Sequence, residues 1–501
     1  MLRLIIFIFC LFVIGRCEER QSRLVHLSQG LVKGYKDLEE DIYVFYSIPY
    51  ATAPTGLDRF KAPLLPPVWS GTFEAVDKEI ICPQNNIFGL ISDSKLMQED
   101  CLIANIYVPE TDEDNLPVVV YIHGGGYTMG WGDMLTPKKL VSSKKVIVIT
   151  FNYRLGVLGF LCLGTKDVPG NAGMKDQVAL LRWVKQNIKD FGGNPDEVTI
   201  AGCSAGSSSV DLLLLSKITD GLFKRAIPES GANTAIFSIQ TNPIKNAKEY
   251  AKLLKFENVE NINDLENFFK TTPYEKFNSV NTLDEMDSNL LMCPCVESDI
   301  GVERFLESSP VNILKSGDYK KLPMLYGFAN MEGLIRLPLF DTWKDKMNKK
   351  FSDFLPANLN FKDETEKEQV AKTVKRFYFG DKIIENDNIL AFIDYFTDTL
   401  FSYAAFRSVK YQVEAGNNQI YLYEYSYYPD DTPVIPYTNV RGATHCAQTY
   451  CVMDGYFNGT IIKEKEVPND VKEMKNLLRE IWLNFMISGY SFFQRAYCSE
   501  L

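Results

Sequence analysis

Val198-Thr199-Ile200-Ala201-Gly202-Cys203-Ser204-Ala205-Gly206 is the stretch on which the reading of this chain turns. A β-branched run leads into Gly-x-Ser-x-Gly, and Ser207–Leu215 beyond it can begin a helix. Strand, sharp turn and helix in that order put the Ser204 hydroxyl at the exposed tip of an elbow. The flanking glycines admit the tight turn and the close packing of helix against strand. The pattern alone arises often by chance, and the plainer alternative is a serine that caps a helix. The strand before it favours the elbow.

Outward from the elbow lie further short apolar runs of the kind that form buried parallel strands: Pro117–Ile122, Val146–Phe151 and Ile420–Tyr425. Between the second and Val198, Lys175–Phe191 carries Val178, Leu181, Val184 and Ile188 at helical spacing, with Gly192-Gly193 as its stop. Near the end, Val471, Met474, Leu478, Ile481 and Phe485 form an apolar stripe, with Asp470 as the expected cap and Gly489 as terminator. Strands alternating with helices imply an α/β fold, a parallel sheet covered on both faces. Residues 245–382 are richer in charge and helix-like, and are expected to form a lid or subdomain.

A serine hydroxyl is a weak nucleophile and needs a base, usually a histidine held by a carboxylate. The chain has only three histidines. His26 lies near the start and His123 belongs to a glycine-rich loop, which leaves His445 in Gly442-Ala443-Thr444-His445. It lies downstream of Ser204, as the order nucleophile, acid, histidine requires. The acid is expected between them, after another strand. Glu332, beside Gly333 and after the apolar run Pro323–Phe328, fits, although several dozen other carboxylates satisfy the order rule. His123-Gly124-Gly125-Gly126 follows a strand and lets successive amides converge on one point, as a developing oxyanion requires. Gly125, Gly126 and the amide of Ala205 are the expected donors. No phosphate-loop or dinucleotide fingerprint is present in the sequence.

The chain has 501 residues, 46% of them hydrophobic and 23% charged, so disorder, collagen and coiled coil are excluded. A net charge of −11 makes nucleic acid and anionic membrane surfaces poor partners. Residues 1–17, a charged start, the apolar run Leu4–Ile14 and small residues, have the layout of a secretory signal and are too short to span a bilayer. A secreted, extracellular protein without a stable membrane anchor is expected, residues 18–501 forming one domain. Nine cysteines lie beyond the signal, an odd number, so at least one is expected to stay outside any internal bridge. Asn458-Gly459-Thr460 is a glycosylation sequon.

These residues and their neighbours resemble the type-B carboxylesterases, the cholinesterase-like branch of the α/β-hydrolases. The resemblance runs along most of the chain: Ile48-Pro49-Tyr50-Ala51 with Arg59-Phe60, Glu99-Asp100-Cys101-Leu102, Asn152-Tyr153-Arg154-Leu155-Gly156, Gly170-Asn171-Ala172-Gly173 and Phe191-Gly192-Gly193-Asn194-Pro195. It implies an α/β-hydrolase fold with a large, mostly parallel sheet, a Ser204–His445–Glu332 triad, no cofactor and no metal. It also implies a Cys82–Cys101 disulfide, worth about 3 kcal/mol by chain entropy, and Ser230 as a serine that supports the acid. The chain departs from the pattern at Cys203, where the family often carries glutamate, and at Ala447-Gln448, where it usually carries acids. The thiol is a rival nucleophile in name only, since the apex of the elbow is Ser204. No cysteine lies between Cys203 and Cys293, so the family's second disulfide has no usual place. Gln84–Gln98 lacks the tryptophan that would bind a choline cation. Juvenile-hormone esterases are similar overall but usually carry glutamine before the nucleophile. With Asp211-Leu212-Leu213-Leu214 after the elbow and Pro294-Cys295-Val296-Glu297, the chain most resembles secreted insect esterases of the antennal and detoxifying kind, acting on lipophilic esters. The alternative is a non-catalytic adhesion or binding protein on the same scaffold, which would typically have lost the serine or the histidine.

Overall fold

Strand residues that alternate between two buried surfaces need cover on both sides, and the centre of this molecule is built that way. The computed structural model describes residues 20–86, 89–457, 460–461 and 467–490. The signal segment, Asn458 and Cys498 lie outside the described residues. The main sheet has eleven strands: β1 Ser22–Leu27, β2 Gly30–Lys36, β3 Ile42–Pro49, β4 Thr72–Glu74, β5 Ile103–Pro109, β6 Leu116–Ile122, β7 Ile147–Phe151, β8 Gly193–Cys203, β9 Arg225–Glu229, β10 Met324–Ala329 and β11 Ile420–Tyr425. Their order is β1-β2-β3-β5-β7-β6-β8-β9-β10-β11, with β4 beside β2. From β7 to β11 every neighbouring pair is parallel, whereas β1, β2, β3, β5 and β7 pair antiparallel in turn.

Val118, Val120 and Ile122 of β6 enter one apolar cluster, while Val119 and Tyr121 enter the other. Two-sided burial explains why these strands read as unbroken apolar runs. Helix α1, Ala172–Asn187, covers the first face with Met174, Val178, Leu181 and Val184. Helix α2, Ala205–Leu213, follows the elbow, and α3, Ala447–Val452, follows His445. Helix α4, Asn469–Ser488, covers the second face with Leu478, Ile481, Trp482, Phe485 and Met486.

Two expectations are corrected at the helix ends. Helix α1 stops at Asn187 and a 3₁₀ turn, Ile188–Phe191, carries the chain to Gly192 at φ 91°, while Gly193 already belongs to β8. Asp470 does not cap α4: Pro468 stands at the cap, and the Asp470 carboxylate accepts a hydrogen bond from the Tyr427 hydroxyl at 2.7 Å. Residues 245–382 are helical over Ile262–Thr271, Phe340–Lys349 and Glu364–Phe379, but β10 interrupts them and belongs to the central sheet.

Candidate active site

Parallel strands deliver their C-terminal ends to one edge of the sheet, and the loops leaving that edge form its crevice. Here β6 runs into His123-Gly124-Gly125-Gly126, β8 into Ser204, β9 into Ser230 and β10 toward Glu332. His445 precedes α3 on the segment that follows β11. Ser204 sits at φ 61°, ψ −124°, the strained conformation of a strand-to-helix elbow. Its amide donates to the Glu229 carbonyl at 2.9 Å. The flanking glycines are a steric requirement: a methyl built on Gly206 would lie 2.1 Å from the Ile122 carbonyl oxygen, and one on Gly202 would lie 2.6 Å from Gly206.

Glu332 is fully buried and its two oxygens are divided between two tasks. Oε1 accepts the Ala329 amide at 2.7 Å, which fixes the carboxylate at the end of β10. Oε2 lies 2.5 Å from His445 Nδ1. The opposite nitrogen, Nε2, is buried without a hydrogen-bond partner, and the ring packs against Phe401 at 4.4 Å between centroids. The Ser204 hydroxyl and His445 Nε2 are not hydrogen-bonded to each other. The two residues are nonetheless tied through their neighbours, because Cys203 and Cys446 form a disulfide.

Gly125 and Gly126 have φ of 100° and 60°. The Gly125 carbonyl accepts the amides of Thr128 and Met129 at 3.0 and 3.1 Å, so the loop closes as a tight turn. The amides of Gly125, Gly126 and Ala205 make no backbone hydrogen bond among the described residues and remain available to an anion. His123 is buried beneath this turn, stacked on Tyr153 at 4.3 Å, with Nδ1 2.9 Å from the Gly124 carbonyl oxygen. Burial pulls its pKa down to about 4, so its ring is neutral and serves as packing. His26 is exposed on β1. Of the three histidines, the one brought to a carboxylate at this edge is His445.

A model of the carboxylesterase family matches residues 21–492. The chain belongs to the carboxylesterase family. It is 36% identical to the juvenile hormone esterase of Heliothis virescens, over 94% of this chain and 86% of that protein. It is 32% identical to esterase FE4 of Myzus persicae, over 98% and 88%. The crystal structure of juvenile hormone esterase from Manduca sexta with OTFP covalently attached superimposes with a TM-score of 0.83 at 30% identity, covering 94% of this chain and 91% of that one. The fold is that of the α/β-hydrolases and the chain is a carboxylic ester hydrolase.

Against the family pattern, this carboxylesterase rebuilds the ground behind its histidine. The Ser230 hydroxyl accepts the Cys446 amide at 3.3 Å and the Gln448 side-chain amide at 2.7 Å. Its hydrogen bonds among the described residues thus go to the histidine segment and not to Glu332, which corrects the role expected for it. Gln448, where the resemblance implied an acid, is here a donor. A second buried acid, Glu229, adjoins Ser230, and both its oxygens accept from the Tyr423 hydroxyl at 2.7 and 2.9 Å. Burial, reinforced by the charge of Glu332, pushes the Glu229 pKa up to about 8. Cys82–Cys101 and Cys162–Cys295 are also bonded, while Cys293 and Cys451 are free and buried. Sequence reasoning missed the Cys203–Cys446 bond, the Cys162–Cys295 bond and Glu229. The signal for the first was present: one cysteine adjoins Ser204 and another adjoins His445.

Proposed function

We propose that this protein is a secreted serine carboxylesterase in which Ser204, His445 and Glu332 form the triad. Ser204 Oγ attacks the ester carbonyl as His445 Nε2 takes its proton. Glu332 holds Nδ1 protonated and balances the imidazolium. The negative oxygen of the tetrahedral intermediate is received by the amides of Gly125, Gly126 and Ala205. Its collapse expels the alcohol, which takes the proton from His445, and leaves an acyl group on Ser204. A water activated by the same imidazole then releases the acid. Serine and histidine need a short contact only once substrate is bound, and apo sites often show it long. The observation that carries this reading is the Glu332–His445 pair, with a buried, unpartnered Nε2 on a histidine segment covalently tied to the nucleophile's neighbour.

Uncharged, lipophilic esters suit the surroundings. Phe401 lies on the imidazole and Phe237 packs on Phe401 at 5.6 Å, while Leu283 and Leu290 approach Gly126. Thr128, at the end of the glycine turn, also lines a narrow pocket with Gln84, Leu158, Phe277, Val280 and Met292. Volatile acetates, hormone-like esters and xenobiotic esters fall in this class. The juvenile hormone esterases among the relatives support the hormone-like group, although Cys203 stands where glutamine was expected for them. Export is supported by the leader-like residues 1–17 and by three disulfides, which persist in oxidising compartments. Among the described residues no helix is long and apolar enough to cross a membrane.

The test is hydrolysis of a chromogenic acetate by purified protein and by Ser204→Ala. The variant is expected to lose about 10⁴- to 10⁶-fold in kcat, and an organophosphate is expected to label Ser204 once per chain in a peptide map. Equal turnover by both proteins would remove the triad.

A further inference from the structure

Cys203 and Cys446 are 243 residues apart in sequence, and each is the immediate neighbour of a proposed triad member. We propose that their disulfide is a positioning bond for catalysis, which holds the imidazole over the serine and makes turnover depend on the oxidation state of this pair. The inference rests on the triad reading.

The histidine segment is otherwise held by hydrogen bonds, of Ala443 with Asn330 and Met331 and of His445 with Glu332, which run to the end of β10 and not to the elbow. Ser204 lies on the elbow after β8, whose amide contact runs to Glu229. His445 lies on a segment with no strand of its own, and Cys446 takes the left-handed conformation, φ 62°, before α3 begins. On the elbow side, the segment's non-covalent ties run to Ser230, one residue beyond Glu229, through the Cys446 amide and Gln448. Its contact with Glu332 fixes the ring at Nδ1 but leaves free how far Nε2 stands from the nucleophile. A bond from the residue before the serine to the residue after the histidine restrains that separation directly. A misplacement of about 1 Å between reacting groups costs on the order of 10²-fold in rate, so a covalent restraint here acts on kcat. Both sulfurs are buried, with 4% and 5% of each residue's surface exposed, so the pair is sheltered from exchange with dilute thiols.

Opening the bond needs a two-electron reductant such as a dithiol. Its thiolate attacks one sulfur and forms a mixed disulfide. Its second thiol then closes the ring and departs as the cyclic disulfide, leaving Cys203 and Cys446 each with a proton. In the closed bridge the two sulfurs and an imidazole nitrogen of His445 all lie within 4.8 Å of one another, so a change at the sulfurs is a change beside the imidazole.

The test begins with a peptide map of the unreduced enzyme, denatured in the presence of excess alkylating agent so that buried thiols are trapped. A linked pair of peptides carrying Cys203 and Cys446 is expected, and both thiols free in fully active enzyme would overturn the proposal. The double variant Cys203→Ala/Cys446→Ala is then compared with Cys162→Ala/Cys295→Ala. The first is expected to lose ten- to a hundred-fold in kcat with KM within about twofold, and to be phosphorylated at Ser204 by an organophosphate more slowly in proportion. The second is expected to melt earlier but keep its kcat. Unchanged kcat in a folded Cys203→Ala/Cys446→Ala protein overturns the idea. Should that variant not fold, wild-type enzyme is titrated with dithiothreitol and quenched by alkylation. Activity is expected to fall with the fraction of the 203–446 bridge opened and to return on reoxidation; activity independent of that fraction overturns the proposal. Ser204→Ala separates the two readings. If that variant hydrolyses ester normally, the triad fails; if it is inactive while the bridge-free enzyme is fully active, only the positioning bond fails.

Discussion

Glu332 divides its carboxylate between the Ala329 amide and His445 Nδ1, so its charge and its orientation are fixed by separate atoms. Glu332→Gln keeps the shape but offers the imidazole an amide that favours the wrong tautomer. A loss of about 10³- to 10⁴-fold in kcat with nearly unchanged KM is expected from steady-state kinetics. Gly125 is replaceable by nothing larger, because at φ 100° a methyl would lie 2.1 Å from the Met129 carbonyl oxygen. Gly125→Ala must therefore open the turn, and a kcat lower by about 10²- to 10³-fold is expected, with Ser204 still present. Glu229 tests the electrostatics of the same small region. In the folded protein it holds its proton up to about pH 8, whereas in the unfolded chain it ionises near the ordinary glutamate value of 4.5. Between those values the folded state carries the extra proton, so stability falls as pH rises through that window. Glu229→Gln is expected to flatten that slope in melting temperatures taken from pH 4.5 to 8, relative to wild type.

At the scale of elements, the stretches that carried the family resemblance are junctions between segments. Arg154 donates from Nε and Nη2 to Asp176 at 2.8 and 2.6 Å, and from Nη1 to the carbonyls of Arg59 and Lys61. One buried guanidinium thus joins the loop after β7, helix α1 and the N-terminal segment. Asn152 reaches the carbonyls of Ile80 and Cys101 in the same way, beside the Cys82–Cys101 disulfide. Removing one partner of a buried ion pair leaves the other uncompensated. Arg154→Ala is expected to cost about 3–5 kcal/mol in denaturant unfolding, while the protein that remains folded keeps its KM. The Asn171 side chain accepts the Cys295 amide at 2.8 Å and donates to Glu297, which pairs with buried Lys175 at 2.6 Å. The Gly-Asn-Ala-Gly stretch is therefore a clamp on the Cys162–Cys295 region.

Across the whole molecule, the site rests on a sheet that is buried on both faces, and the second face depends on α4. Trp482 is 1% exposed among the apolar residues behind β6 and β8. Trp482→Ala is expected to lower stability by about 3–5 kcal/mol, measured by thermal or denaturant unfolding, with kcat per folded molecule close to wild type.

The periodicity of β6, β7, β8 and β11, the elbow at Ser204 and the scarcity of histidine were all local properties, legible because backbone sterics and two-sided burial leave their mark on neighbouring residues. Those determined the α/β class and singled out Ser204 and His445 as candidates. Glu332 was legible only by analogy, since no local signal separates one carboxylate from dozens of others. What the tertiary structure alone decided is which groups meet: Glu332 with His445, Ser230 with the histidine segment, Cys203 with Cys446. These are contacts between segments distant in sequence, set by the order in which a parallel sheet stacks its C-terminal ends. The raised pKa of Glu229 belongs to the same class, because desolvation comes from atoms packed around a group and not from its neighbours along the chain.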